Sequence, residues 1–479
     1  METAVTDDDR PVAPTVPAVS PGARVRRPAL RVPRLPGDPV LWALCLAVLA
    51  AYTVLSVSRY AVGNPASWDL GIFTEEVRHY AHFQAPMVNI RGMDALGDHF
   101  SPADVLFVPA WWLFPSAATL LVCQALLTAV SVVPVYRAAV DRLSVTEARL
   151  VAAAYGFSWG LASMAWYDVH EICFAVPLLA CSVSAMVRGK LRASVWWAVP
   201  LVFVKEDQGF TVAATGLILA VVYGKRLTGA LLAAWGIGWS LLAVYVLIPA
   251  LNPVHLYPYW KDSGHLGGIV SGLDIKLPTL ALLLLPTAFV ALRSPLAAIA
   301  LPVVALRFYS DNHVYWGATW HYNATLMPVL FVAAVDGLAR IHSGRPARAR
   351  GLWPYLGHHA PAMMAMAAAA LAVWSPLSNL WQGETYAIPA HTKAAAAAER
   401  MIPKGQSVSA TLPELAPLAA RGNDVYFFND KTPPQWILLD TVSWNVAPAS
   451  ITGFPGVTYH TFYQDAGVWL FQRVDLHGG

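Results

Sequence analysis

The apolar positions of this chain gather into long unbroken runs. They do not show the strict alternation of a half-buried strand or the one-sided stripe of a soluble helix. Runs at residues 39–57, 116–136, 150–167, 172–187, 194–204, 209–224, 228–249, 277–292, 295–306, 322–339 and 358–376 predict about eleven helices. Crossing a bilayer takes about 20 apolar residues, with a range of about 17–25. Several of the runs are shorter than that. The pattern predicts a mainly α, polytopic integral membrane protein.

The distribution of basic residues gives the orientation. With the N-terminus inside, 19 of the 32 Lys and Arg fall in inner segments and 7 in outer loops. That is the bias expected of cytoplasmic loops, and an odd number of spans then places the C-terminus outside. Composition agrees. The 479 residues are 57% hydrophobic and only 13% charged, against about 25% charged in soluble domains. This excludes a soluble enzyme, a disordered protein and a nucleic-acid binder. Cys45, Cys123, Cys173 and Cys181 all lie in apolar runs without a CxxC pair and read as small buried hydrophobes, with neither disulfide nor metal role.

Three segments follow. Residues 1–38, rich in Pro, Val and Arg, read as a disordered cytoplasmic segment with no cleaved signal peptide. Residues 39–376 form the membrane domain, with 58–103 as first outer loop. Residues 377–479 read as a small α/β extracytoplasmic domain. Its helices are expected over His391–Met401 and Glu414–Ala420. Strands are expected at Ser407–Thr411, Val425–Phe428 and Trp436–Asp440, with a hairpin of Val457–Gln464 and Gly467–Arg473 across Asp465-Ala466-Gly467.

A charged residue at the centre of a membrane helix costs about 2.5–3.5 kcal/mol on insertion scales, so polar residues beside the spans are the candidates for chemistry. On this topology nearly all face outward. In the first outer loop, apolar Ile72, Phe73, Val77, Tyr80 and Ala81 recur at helical spacing, which predicts an amphipathic interfacial helix from Leu70 to Phe83. Asp69 stands at its start. It can be an N-cap, a fixed general base, or both. Asp98-His99 is a structural pair, an acid/base pair or part of a metal site, although two ligands are too few for a metal alone.

The turn between the third and fourth runs holds Asp168, His170 and Glu171, and is either solvated or part of a site. Val204-Lys205-Glu206-Asp207-Gln208-Gly209 lies at the apex of a hairpin whose first arm is only about a dozen apolar residues, or about 18 Å of helix. The apex should therefore sit below the outer surface, in an aqueous cavity. There Lys205 either pairs with a carboxylate or meets a lipid phosphate. Arg307 is a candidate anion ligand because guanidinium matches phosphate geometry. His321 and Tyr322 follow it across a short loop. Aromatic residues of 252–268, Tyr259 and Trp260 among them, can stack on sugar rings or form an interfacial belt. Glu75, Asp168, His170, Glu171, Glu206, Asp207, Tyr259, Trp260, His321 and Tyr322 are the candidates for substrate or acceptor contacts. No P-loop, GxGxxG, HExxH or GxSxG motif is present in a supporting context.

The order WDLGIF (68–73), GDHFSP (97–102), KEDQG (205–209), HYNATLMP (321–328) and a C-terminal SVSAT, LAARGNDVYFF, WILLD set resembles a bacterial family of predicted integral membrane proteins classed as a domain of unknown function. The resemblance covers about residues 40–475. That family in turn is similar to the GT-C glycosyltransferases, multi-span enzymes that use polyprenyl-phosphate-linked sugars at the outer face. The resemblance implies an acidic base in the first outer loop, a position that Asp69 matches, and a second acidic site like Asp168–Glu171. It implies glycosyl transfer in the bacterial plasma membrane, with a lipid-linked sugar and an envelope glycan, lipid or protein acceptor as partners, and no nucleic acid. Asp69, with Asp98 and His99, would carry the chemistry, while Lys205 and Arg307 would hold the lipid phosphate. No cofactor is required by these residues, no metal ligands are assigned, and a divalent metal stays open. Two other readings fit the same pattern: a transporter or flippase for a lipid-linked or polar solute, and a non-catalytic envelope scaffold.

Overall fold

The computed structural model describes residues 37–65, 67–262, 264, 266–343, 352–427, 433–448 and 454–474. The expected disordered segment therefore lies outside the described residues, except for its last two positions, and so does His265. Helices run in the order α1 (Pro39–Ala61), α2 (Asp69–Ala81), α3 (Val108–Leu113), α4 (Ala117–Val140), α5 (Val145–Gly156), α6 (Trp159–Trp166), α7 (Ile172–Val187), α8 (Leu191–Ala198), α9 (Gln208–Val221), α10 (Arg226–Leu242), α11 (Ile248–Leu251), α12 (Leu273–Leu284), α13 (Leu301–Tyr309), α14 (Leu326–Ser343), α15 (Leu352–Ala372), α16 (Ala390–Met401) and α17 (Leu412–Ala420).

Local chemistry sets many of these boundaries. α1 starts where the Asp38 carboxylate accepts from Val40 N and Pro39 takes the first helical position, where its missing N–H costs nothing. Asp38 also receives Tyr136 and Arg149, tying the foot of α1 to α4 and α5. Ser144 and Glu147 form a capping box at α5. Among the described residues, four helical stretches are long and apolar enough to cross a bilayer: Pro39–Ala61, Ala117–Val140, Arg226–Leu251 and His321–Ser343. Ile172–Val187, Leu191–Phe203, Gln208–Val221 and Pro295–Tyr309 are shorter apolar helices.

Three expected spans are broken. The run 150–167 divides into α5 and α6 at Phe157-Ser158. The runs 277–292 and 295–306 form no full-length helix. α12 stops at Leu284, Ala288 and Phe289 turn left-handed at φ 48° and 58°, and 3₁₀ turns lead on to α13. Pro286 and Pro295 open two of those turns; proline removes a backbone donor and so interrupts the α-helical ladder.

α9 and α10 touch backbone to backbone. A Cβ on Gly209 would lie 2.2 Å from Gly236 O, and one on Gly229 would lie 2.3 Å from Gly216 O. Apolar lipid tails give membrane helices no hydrophobic reason to associate, so close approach at small residues does it instead. Gly236→Ala should therefore separate this pair at an overpacking cost of about 1–3 kcal/mol. A thermal-unfolding midpoint equal to wild type in detergent would contradict the packing described.

The expected interfacial helix is α2, but its surroundings differ from the expectation. Leu70, Gly71, Phe73, Thr74, Glu75, Glu76, Val77 and Ala81 are all buried, so the helix is enclosed on most sides rather than half-immersed. A short antiparallel pair, β1 (Met87–Val88) and β2 (Met93–Asp94), and a 3₁₀ segment Pro102–Phe107 complete the loop.

The C-terminal residues build a five-stranded sheet of β3 (Ser407–Ala410), β4 (Asp424–Phe427), β5 (Trp436–Asp440), β6 (Thr458–Asp465) and β7 (Val468–Val474), in the order β4-β3-β5-β7-β6. β3 lies parallel to β4 and β5, and the β6–β7 hairpin is antiparallel. Its loop is Ala466-Gly467, both at positive φ (46° and 85°), the two-residue geometry that matches strand twist. This sheet domain shares a core with the first outer loop. Val88, Ile90 and Ala95 pack with Leu415, Leu418 and Val425. A Cβ on Gly71 would come within 2.9 Å of Leu415 Cβ, so α17 lies directly on α2.

Candidate active site

Asp69 is the first residue of α2, and Trp68 occupies the cap position. The carboxylate is not spent on capping. Its Oδ2 accepts from Ser67 Oγ at 2.5 Å, and it lies 3.3 Å from His170 Nε2, an ion-pair distance without an aligned hydrogen bond. The cap expectation is therefore corrected: the helix fixes Asp69 by position while its oxygens face other groups.

The turn Tyr167–Glu171 between α6 and α7 presents His170. Gln124 of α4 clamps the backbone of this turn on either side of Val169. Nε2 donates to Asp168 O at 2.7 Å, and Oε1 accepts from His170 N at 3.1 Å. Asp168 sits at φ 72°, a costly conformation for a non-glycine residue, and its carboxylate accepts from Ser67 N at 3.1 Å. The turn and the start of α2 are thus stitched together.

From Asp69 the charges alternate. His170 Nδ1 lies 3.2 Å from Glu171 Oε2, and Lys205 Nζ donates to Glu171 Oε1 at 2.6 Å. Burial opposes charge on Asp69, but His170 and Ser67 outweigh it and hold the carboxyl below its ordinary range. Burial likewise opposes charge on His170, yet Asp69 and Glu171 raise it to about 9. Lys205 is pulled well above the ordinary lysine value against burial, chiefly by Glu171. Neighbouring Glu206 is held by His99, while Lys205 pairs with Glu171. One of its three donors is used in that bond.

Asp98 and His99 do not pair with each other. Arg91 holds Asp98 with two 2.9 Å bonds, and Tyr259 OH donates to it at 3.0 Å. His99 Nδ1 lies 2.8 Å from Glu206 Oε1, with its ring stacked on Tyr259 at 4.4 Å. Tyr257 OH donates to Glu206 as well. Asp98, His99, Glu206 and Tyr259 thus knot the first loop to the 252–260 loop beside Lys205. Asp207 accepts from Gln208 at 3.1 Å. Trp260 is half exposed and packs on Tyr245 and Tyr257, away from this chain of charges.

Two candidates change role. The Arg307 guanidinium donates to Tyr315 O, Gly317 O and Asn323 Oδ1 at 2.7–2.9 Å. It is buried, so it braces the 310–323 loop and is not a free anion ligand. Glu75 is fully buried and accepts from Asn89 N and Nδ2, a support for the β1 turn rather than a substrate contact. His321 is buried against His170 at 3.6 Å between ring centroids, and Tyr322 lies beside it and Arg307.

The sequence expectation missed Glu76 and Asp104. Both are buried, and Asp104 Oδ1, Asp104 Oδ2 and Glu76 Oε1 have no hydrogen-bond partner. Burial first, then mutual repulsion for Glu76 and repulsion from Glu171 for Asp104, push both well above the ordinary carboxylate range. A lone aspartate within the otherwise apolar Ala103–Trp112 stretch was the available signal. Among the described residues no group of three or more His, Cys, Asp or Glu is placed to hold a metal ion.

The fold has relatives among solved structures. ArnT from Cupriavidus metallidurans, in its apo crystal form, superposes with a TM-score of 0.52 at 14% identity, covering 90% of this chain and 97% of that one. The arabinosyltransferase EmbB from Mycobacterium smegmatis matches at 0.41 and 13% identity, over 82% of this chain and 42% of that one. The archaeal oligosaccharyltransferase AglB from Archaeoglobus fulgidus, solved with an inhibitory peptide and a dolichol-phosphate, matches at 0.44 and 12% identity, over 92% and 75%. No curated protein matches by sequence. The ArnT likeness shows a shared fold along nearly the whole of both chains. A family model matches residues 62–453, most of the chain, and the protein accordingly belongs to the DUF2079 family of predicted membrane proteins.

Proposed function

We propose that this protein is a membrane glycosyltransferase of GT-C type. It moves a sugar from a polyprenyl-phosphate donor to a hydroxyl acceptor at the outer face of the membrane. The observation that carries this reading is the convergence of a positioned carboxylate and a lysine ammonium on one site from distant parts of the chain. Asp69 and Lys205 are linked through His170 and Glu171. The ArnT-like fold supports it at class level only.

In the reaction, the acceptor O–H bond breaks and its proton passes to Asp69. The oxygen forms a bond to the anomeric carbon from the side opposite the phosphate. The carbon–oxygen bond to phosphate breaks, and its electron pair leaves on the lipid phosphate, with inversion. Lys205, with donors to spare beyond Glu171, stabilises the departing charge. Aromatic residues bordering the turn, Tyr167 and Trp320 (4.6 Å apart), offer a wall for the sugar ring. We place the N-terminus inside and the sheet domain outside, with about eleven crossings, because basic residues cluster in the alternate loops. The sheet domain braces α2. A transporter would place its site near the midplane in broken, repeated helices, whereas here the candidate groups come from turns and the first outer loop.

A strain lacking the protein should accumulate a lipid-linked sugar and lose the corresponding envelope glycan. The wild-type gene should reverse both. Unchanged lipid-linked sugar pools and glycans in the deletion strain would refute the reading.

A further inference from the structure

Asp69, His170, Glu171 and Lys205 form an alternating row of charges whose ends are wet and whose middle is dry. The Asp69 and Lys205 side chains are 19% and 14% exposed, while Glu171 is 1% exposed. We infer that His170 and Glu171 are positioning residues that transmit occupancy of Lys205 by a phosphate to the carboxylate of Asp69. This rests on the glycosyltransferase reading.

The surroundings leave His170 little else to do. Its ring is stacked between Tyr167 (5.2 Å, 20°) and His321 (3.6 Å, 23°), with Phe73 edge-on at 5.5 Å. Gln124 fixes its backbone. Asp69 faces it from α2, Glu171 and Tyr167 from its own turn, His321 from the segment before α14, and Asp104 from the 3₁₀ segment. Of these, Asp69 and Glu171 are the charged partners. Asp104 is pushed towards its neutral form, and it is His170, not His321, that lies between the Asp69 and Glu171 carboxylates. His170 therefore carries the positive charge of the stack.

The consequence follows from electrostatics in a dry interior, where charges interact more strongly than in water. With the site empty, Lys205 holds Glu171. A phosphate arriving at Lys205 competes for that ammonium and leaves Glu171 more negative towards His170 Nδ1. The imidazolium is drawn towards Glu171 and away from Asp69, and the 3.3 Å contact loosens. Asp69 is then a stronger base when the donor is present than when it is absent. His170 keeps its proton throughout, so no proton is moved along the row.

The test uses the full-length protein in nanodiscs with ¹³C-labelled histidine side chains and polyprenyl monophosphate as probe. The His170 resonance is identified by its disappearance in His170→Gln. Its midpoint should lie well above that of an ordinary histidine, and Asp69→Asn and Glu171→Gln should each lower it by about one unit or more. Polyprenyl monophosphate should raise it further in wild type but not in Lys205→Met. Variants that fail to fold are recognised by loss of the other histidine resonances, and Asp69→Ser, which also removes the carboxylate facing Nε2, then replaces Asp69→Asn. If the lipid binds, as seen at His99 beside Lys205, and the His170 midpoint stays fixed, the relay is overturned while the glycosyltransferase reading survives. If the lipid does not bind at all, the donor reading fails and the relay fails with it.

Discussion

Asp69→Asn should abolish transfer by about 10²–10⁴-fold, the contribution of a general base, while leaving the fold intact. The isosteric amide can still accept from Ser67, whose hydroxyl lies 2.5 Å from Oδ2. The opposite charge beside His170 is lost, and with it the acceptor's proton sink. The acid limb of the rate profile follows with its sign. The folded carboxyl lies below its ordinary value, so wild-type activity should persist as pH falls to the ordinary aspartate range and decline only beneath it. Removing the cation with His170→Gln leaves burial, the largest influence on Asp69, opposed only by the Ser67 hydroxyl, so the acid limb should move to higher pH. Rates of sugar release measured from about pH 3 to 8 for the three proteins check both statements. Transfer by Asp69→Asn within a few-fold of wild type would remove Asp69 from the chemistry.

Arg307→Met should act in a different way. The substitution removes the guanidinium's hydrogen bonds to Tyr315 O, Gly317 O and Asn323 Oδ1, and it takes that donor from the fully buried Asn323. Each buried group left without a donor costs about 1–3 kcal/mol. The thermal midpoint should fall markedly, and the 310–323 loop should become open to limited proteolysis. Arg307→Lys should not restore it, because a single ammonium cannot reach three acceptors in a fork. Lys205→Met makes the contrast. It removes a group with one carboxylate partner and should weaken binding of a lipid phosphate without opening the loop. An Arg307→Met protein as stable as wild type, but unable to bind lipid phosphate, would return Arg307 to the role expected from its sequence position.

The two arginine and lysine outcomes show where sequence was legible. A cation beside a short apolar run is visible in the primary structure, because the cost of burying charge is general. Its partner is not visible. Lys205 found Glu171, 34 residues away in the chain, and Arg307 found main-chain carbonyls of its own loop. Backbone acceptors carry no residue signature, so nothing in the sequence separates a bracing arginine from a phosphate ligand. Helix positions were legible where apolar runs were continuous, as in α1, α4 and α14. They were less so in 277–306, where Pro286 and Pro295 broke runs whose hydropathy alone looked like spans. The strands and hairpin of the C-terminal segment followed from alternation and the Asp465-Ala466-Gly467 turn. The shared core joining that sheet to Ile90 and Val88 of the first outer loop depends on contacts more than 300 residues apart in sequence, which periodicity cannot reveal.

The central claim is that this chain breaks the bond between a sugar and a polyprenyl phosphate. Its most direct test is to reconstitute the purified protein in liposomes with polyprenyl-phosphate-linked sugars and a mixture of envelope acceptors, and to measure free polyprenyl monophosphate by mass spectrometry. Time-dependent release by wild type, lost in Asp69→Asn, is the predicted result. No release from any such donor by a folded protein that instead moves the intact lipid-linked sugar between leaflets would contradict the account.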